Sequence, residues 1–151
     1  CLYDNKDFAI GYYSRKFDGK RMYIQSGLPY SRANKVCKYD PISHIVEQVK
    51  ELSNRYTLDG EVIWVDENGT EDFQRAISLT SRDDRLPDCD HLKFIVFDMI
   101  ENKTFNGKDV GIAFEDEYIL MKDTLLEPNC PETISWYQTK YPDILLFEPA
   151  L

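Results

Sequence analysis

The sequence predicts an α+β domain with a largely antiparallel sheet and flanking helices. Three observations carry that reading. Lys93-Phe94-Ile95-Val96-Phe97-Asp98-Met99-Ile100 is a short apolar run suited to a central strand. Ile42, Ile45, Val46, Val49 and Leu52 recur at spacings of three and four, the stripe of a core-facing helix. Strands of mixed length have such helices between them, which is the α+β pattern.

In chain order, residues 8–17 and 21–25 read as two strands of a hairpin turned by Asp18-Gly19, a strong turn dipeptide. Residues 26–35 carry Gly, Pro, Ser and Asn punctuation and read as loop. Asp40-Pro41 opens the first helix, with Asp40 as N-cap and Pro41 at the first helical position, and the stripe carries it to about Arg55. His44 lies beside that stripe and reads as a structural histidine. Residues 56–65 are β-rich. Asn68-Gly69 turns the chain, and Thr70 caps a short helix carrying Phe73, Ala76, Ile77 and Leu79. Residues 81–90 are polar loop, residues 116–126 a third helix, and Ile144-Leu145-Leu146-Phe147 a last strand.

Composition narrows the class. A length of 151 residues fits one domain with a real core, and 42% hydrophobic with 13% aromatic residues argues against disorder. No apolar run approaches the roughly 18 residues of a membrane-spanning helix. Residues 1–7 lack the basic and apolar regions of a signal peptide, and a first residue of Cys reads as a fragment or a processed chain. Cys1, Cys37, Cys89 and Cys130 are scattered without a Cys-x-x-Cys pair, which disfavours a disulfide framework or a zinc site. Cys89-Asp90-His91 is the nearest approach to a metal cluster. These features suggest an intracellular protein, in cytoplasm or nucleus, with a viral or phage source left open.

The net charge of −9 is unevenly spread. Residues 1–40 are +4, from eight Lys/Arg against four Asp/Glu, and the rest are −13, from ten against 23. The acidic bulk argues against wrapping nucleic acid unaided. The basic corner suits a small anion such as a nucleotide phosphate.

That corner contains Lys16-Phe17-Asp18-Gly19-Lys20-Arg21. A lone Lys-x-Asp-Gly is most often a basic surface turn. Lys-x-Asp-Gly-x-Arg, however, arises by chance at roughly one start point in a hundred thousand. Three companions follow in order: Ser31-Arg32, Asp59-Gly60-Glu61 and Val96-Phe97-Asp98.

With these four segments the chain resembles the adenylation domain of the covalent nucleotidyltransferases, and among them the ATP-dependent DNA ligases, over residues 8–148. The first segment matches the family's motif I, whose lysine becomes linked to AMP. Ser31-Arg32 matches the Ser-Arg step that follows, Asp59-Gly60-Glu61 matches motif III, and Val96-Phe97-Asp98 matches motif IIIa. The resemblance implies an ATP-grasp-like nucleotidyltransferase fold. It implies Lys16 as nucleophile with Asp18 and Arg21 in the catalytic motif, and Arg15, Arg32, Glu61 and Phe97 as nucleotide-binding residues. It further implies ATP and Mg2+, the metal reached by Glu61 through water, and a monomer that seals nicked double-stranded DNA in replication, repair or recombination.

The chemistry suits the residue types. A lysine amine attacks phosphorus where burial or neighbouring cations such as Arg15, Lys20 and Arg21 favour its neutral form. Arginine forks at 21 and 32 can hold phosphate or ribose oxygens, and Phe97 offers a flat face to adenine. Taken singly, the same residues read as surface ion pairs for Arg21 and Arg32, an edge-strand charge for Glu61 and plain core for Phe97.

The chain departs from the family in three places. Ser14 stands where these ligases carry Glu or Gln. The basic residue that often follows motif IIIa, near residues 118–122, is not placed. The sequence stops before motifs IV and V and the OB-fold, which makes residues 1–151 a partial adenylation domain whose DNA contacts fall mainly to the missing parts. Three alternatives stay open: an RNA ligase, a GTP-using mRNA-capping guanylyltransferase, and a non-catalytic nucleotide-binding or interaction module.

Overall fold

The computed structural model describes residues 15–105, 114–128 and 136–149. Its frame is a mixed sheet of strands β1 (Lys20–Gln25), β2 (Leu28–Ser31), β3 (Tyr56–Trp64), β4 (Leu92–Glu101), β5 (Trp136–Gln138) and β6 (Ile144–Phe147), in the order β2-β1-β3-β4-β6-β5. Every pairing is antiparallel except β4 with β6. Helices α1 (Ser43–Gln48), α2 (Phe73–Thr80), α3 (Asn102–Phe105) and α4 (Phe114–Leu125) surround it. The expected α+β class, the central strand over 93–100 and the last strand over 144–147 are all present. Among the described residues no helix is long and apolar enough to cross a membrane.

The first hairpin differs from expectation. Strand β1 pairs with β2 on one side and β3 on the other. Residues 15–18 are not in a strand, and residues 8–14 lie outside the described residues. The hairpin instead joins β1 to β2, within the stretch expected to be loop. Ser26 and Gly27 turn it with φ of 50° and 78°, the positive pair of a type I′ turn. Ser53 grips this turn: its carbonyl accepts from Ser26 N at 2.7 Å and its hydroxyl from Gly27 N at 2.8 Å.

That grip bears on the helix expected from Asp40 to Arg55. The segment is a 3-10 turn (Asp40–Ile42), then α1, then a second 3-10 turn (Leu52–Asn54). Asp40 lies inside the first turn instead of capping it, and its carbonyl accepts from Ser43 Oγ. Leaving the α-helical path delivers buried Ser53 to the hairpin. The apolar stripe holds: Ile42, Ile45, Val46 and Val49 are buried and Leu52 packs against them. His44 is structural, with Nε2 at 2.9 Å from the Leu92 carbonyl and Nδ1 at 2.8 Å from Arg85, and burial lowers its pKa.

Helix α2 is capped by Asp72, whose side chain accepts from Arg75 N, and not by Thr70. A bridge between Val65 and Glu71 keeps the chain extended that far. Ala76 and Leu79 are buried as expected, while Phe73 is exposed. The polar loop of 81–90 ends in a 3-10 turn (Pro87–His91), and α4 begins two residues before the expected helix. Strand β5 has only three residues and no sequence signal of its own.

Register sorts the sheet into two faces. Met22, Ile24, Leu58, Val62, Phe94 and Val96 share one and are buried in the core. The opposite face carries Arg21 and Tyr23 of β1 beside Glu61 and Asp59 of β3. On this polar face the sequence-predicted residues Arg21, Glu61 and Phe97 come together.

Candidate active site

Lys16 is exposed, and its neighbours fix it. Arg15 pairs with Glu71 and lies over the Phe17 ring at 4.8 Å. Phe17 is only 3% exposed, wedged beside Phe97 and Trp136 with ring centroids 6.5 and 6.0 Å apart. Gly19 lies so close to β3 that a Cβ there would stand 1.9 Å from the Val62 carbonyl oxygen. A salt bridge, a buried ring and a backbone contact thus hold the segment on the polar face, in place of the hairpin that sequence suggested.

Arg21 stands opposite Glu61 but bonds diagonally to Asp59, with Nε and Nη2 donating to Oδ1 and Oδ2 at 2.8 and 2.6 Å. Those bonds, more than the nearby charges of Asp59, Glu61 and Asp98, raise the guanidinium's pKa and hold its fork in one orientation. The Arg21 fork also lies 5.8 Å from the centre of the Phe97 ring. Asp59 is therefore a candidate site residue that the sequence reading passed over, although it sits in the Asp-Gly-Glu string.

Phe97 reaches this face through a bulge. Asp98 pairs with Asp59 and Val96 with Gly60, leaving Phe97 as an extra residue in β4. In a regular strand consecutive side chains point to opposite faces, so Phe97 and Asp98 could not both approach Arg21. The bulge re-aims them. Gly60 permits the close approach, since a Cβ there would lie 1.8 Å from the Ile95 carbonyl oxygen.

Glu61 is half-buried, and its Oε2 is buried without a hydrogen-bond partner among the described residues. Burial pushes its pKa up and the Asp18 and Asp59 charges add to that, while Arg21 and Lys16 pull it down. Lys16 and Asp18 thus lie within electrostatic reach of Glu61. A carboxylate with a raised folded-state pKa contributes stability that is complete below about 4.5 and is lost as pH rises through the folded value. Glu61→Gln is therefore expected to gain thermal stability over the wild type as pH rises from 4 to 7, on the order of 2 °C after solvent screening. Parallel melting curves across that range would contradict the assignment.

Arg32 is exposed and leaves β2 one residue past the Met22–Ser31 pair, at the end of β1 that carries Arg21. The structure shows no contact that ties it to Glu61 or Phe97. An open cleft of about 790 Å3 is lined by Arg15, Glu71, Lys93, Trp136 and Leu145 among others, and Lys16, Arg21, Glu61 and Phe97 are not in its lining. Ser14 lies outside the described residues, as do Cys1 and Cys130.

A lysine, a tethered arginine, an unsatisfied buried carboxylate and an aromatic ring on one face of a mixed sheet describe a nucleotidyltransferase-type domain. A family model for the ATP-dependent DNA ligase domain matches residues 5–142, and the chain belongs to that family. Its fold is also that of two solved structures, each 20% identical in sequence. One, described as "Pmar-Lig_Pre.", has a TM-score of 0.57 and shares 74% of this chain and 26% of its own. The other, from a study described as "DNA binding with a minimal scaffold: Structure-function analysis of Lig E DNA ligases", has a TM-score of 0.56 and shares 91% of this chain and 43% of its own. The chain thus spans less than half the length of either. No curated protein matches it.

Proposed function

We propose that this chain is the nucleotide-transferring part of an ATP-dependent DNA ligase, an intracellular monomer to whose adenylation domain residues 1–151 contribute. One observation carries the reading: Lys16, Arg21 and Phe97 converge on one sheet face around Glu61, whose buried Oε2 lacks a donor among the described residues.

In this reading the neutral Lys16 amine attacks the α-phosphorus of ATP. A P–N bond forms, the bond from the α-phosphorus to its bridging oxygen breaks, and pyrophosphate leaves with that electron pair. The amine's proton passes to solvent. The AMP is then passed to the 5′-phosphate of a nick, and attack by the 3′-hydroxyl seals the strand, releasing AMP. Arg21, oriented by Asp59, and Arg32 grip phosphate or ribose oxygens. Phe97 supports adenine, and Arg15 adds positive charge beside Phe17. Asp18 and Gly19 set the path of the chain from the nucleophile into β1.

Glu61 Oε2 can accept from a ribose hydroxyl or from water held by magnesium. The donor set fits that ion, because magnesium keeps several waters and binds through one or two carboxylates together with substrate phosphates. When bound it offsets the charge of the departing pyrophosphate.

DNA is proposed as the partner on charge. Among the described residues, Lys16, Lys20, Arg32 and Lys35 have no ion pair, whereas Arg15, Arg21, Lys38 and Lys93 each hold a carboxylate. Four of the eight lysines and arginines without an ion pair among the described residues thus fall between residues 16 and 35, where they can meet phosphates; Lys50, Arg55, Lys122 and Lys140 are the others. In the full-length protein, the double substitution Lys20→Ala and Lys35→Ala is expected to lower the salt dependence of nicked-DNA binding by about one slope unit per contact removed. An unchanged slope would rule out this corner. The reaction is tested by incubating the full-length protein with α-labelled ATP or GTP: ATP should leave label on the protein and GTP should not.

A further inference from the structure

We propose that Glu117 of α4 is a positioning residue for the nucleotide pocket: hydrogen-bonded to the Asp98 carboxyl and to the Met99 N–H, it fastens α4 to the β4 bulge that presents Phe97, and one proton between the two carboxyls makes the fastening possible. The proposal rests on the nucleotide-binding reading of Phe97 and Arg21.

A bulge leaves part of the strand ladder unpaired, so its residues need an outside hold. Immediately past Phe97 and Asp98, Met99 N donates to Glu117 Oε1 at 3.1 Å. The Glu117 carboxyl also hydrogen-bonds Asp98. Two ionised carboxylates are acceptors only, so this contact exists only while one of them carries a proton. Burial first, then the Asp98 hydrogen bond and charge, push the Glu117 pKa up to about 7. Asp98 in turn is one of the charges that stabilise the Arg21 guanidinium. The proton on Glu117 thus bears on both groups proposed to hold the nucleotide.

The charged groups around the pair come from several elements, and Glu61, its own pKa raised by burial, is among them. Arg21 faces the pair from β1, and Asp59, with Glu61 next along the same face, faces it from β3. On α4, Glu115 and Asp116 are exposed, Tyr118 donates to the Phe147 carbonyl at 3.2 Å, and Lys122 sits over the Tyr118 and Tyr137 rings. Strand β6 presents no ionisable side chain, and Glu148 beyond it lies 3.5 Å from the Tyr137 hydroxyl.

Loss of the proton sets two carboxylates against each other and releases the bulge. Glutamine at 117 would accept from Met99 N and donate to Asp98 at any pH. Lysyl-AMP formation from α-labelled ATP should be followed at pH 6, 7 and 8 in full-length wild type, Glu117→Gln and Glu117→Ala. The ratio of the Gln variant's rate to that of the wild type is expected to rise up to about tenfold between pH 6 and 8, because the wild-type carboxyl, pushed up to about 7, gives up its proton across that range. The Ala variant should be slow throughout. Coincident pH profiles for wild type and the Gln variant would overturn the proposal.

Thermal unfolding without nucleotide supplies the second reading. Because the folded-state pKa is raised, the wild-type midpoint should fall relative to Glu117→Gln between pH 5 and 7.5 and level off above. Parallel midpoints would overturn the clamp. Diverging midpoints with no adduct in any variant would leave the clamp standing and sink the nucleotidyl-transfer reading instead.

Discussion

Lys16→Ala is expected to remove the covalent AMP adduct, a loss of at least about a thousandfold, when the full-length protein is incubated with α-labelled ATP and resolved under denaturing conditions. Lys16→Arg should fail as well, because a guanidinium stays protonated and has no lone pair to offer phosphorus. The segment's anchors are Arg15, Phe17 and Gly19, and Lys16 itself is exposed, so stability should change by no more than about 0.5 kcal/mol. A lost adduct with an unchanged melting curve assigns the effect to chemistry. An adduct that survives the alanine would move the nucleophile to another residue.

Gly60→Ala is expected to cost about 3 kcal/mol or more and to lower the melting midpoint by about 10 °C. The added Cβ would stand 1.8 Å from the Ile95 carbonyl oxygen and 2.8 Å from its carbon. Both are backbone atoms of the neighbouring strand, which no side-chain rotation can clear. Relief requires β3 and β4 to separate between Asp59 and Glu61, which displaces the partner of Arg21 and the unsatisfied carboxylate together. Gly69→Ala provides the contrast, since nothing lies within 4 Å of its added Cβ and only a φ of 81° opposes it, worth about 1 kcal/mol. A smaller loss at Gly60 than at Gly69 would show that the strands do not approach as described.

Much of the frame was legible because periodicity is a local property. The stripe from Ile42 to Val49 and the run from Phe94 to Ile100 mark themselves within a few residues. The first hairpin was misplaced for a reason equally physical. Asp18-Gly19 is a better turn dipeptide than Ser26-Gly27 by composition, yet the spacing needed at Gly19 is set by the Val62 backbone, 43 positions along. The long helix divided because Ser53 has a second task at the hairpin turn. In the site, Arg21, Glu61 and Phe97 could be named from their strings, but the tether from Arg21 to Asp59 depends on strand register and the aim of Phe97 on one extra residue in β4. Glu117 had no signal, since nothing along the chain links it to Asp98.

By itself the sequence determined the α+β class and the family, and it named the candidate site residues, because these depend on periodicity and on short strings read in order. Only the tertiary structure decided how Lys16 is anchored, which carboxylate holds Arg21, which one is left unsatisfied, and that two carboxyls meet behind Phe97. Those facts are set by which strands lie side by side and in what register, and short strings and local periodicity do not carry that information.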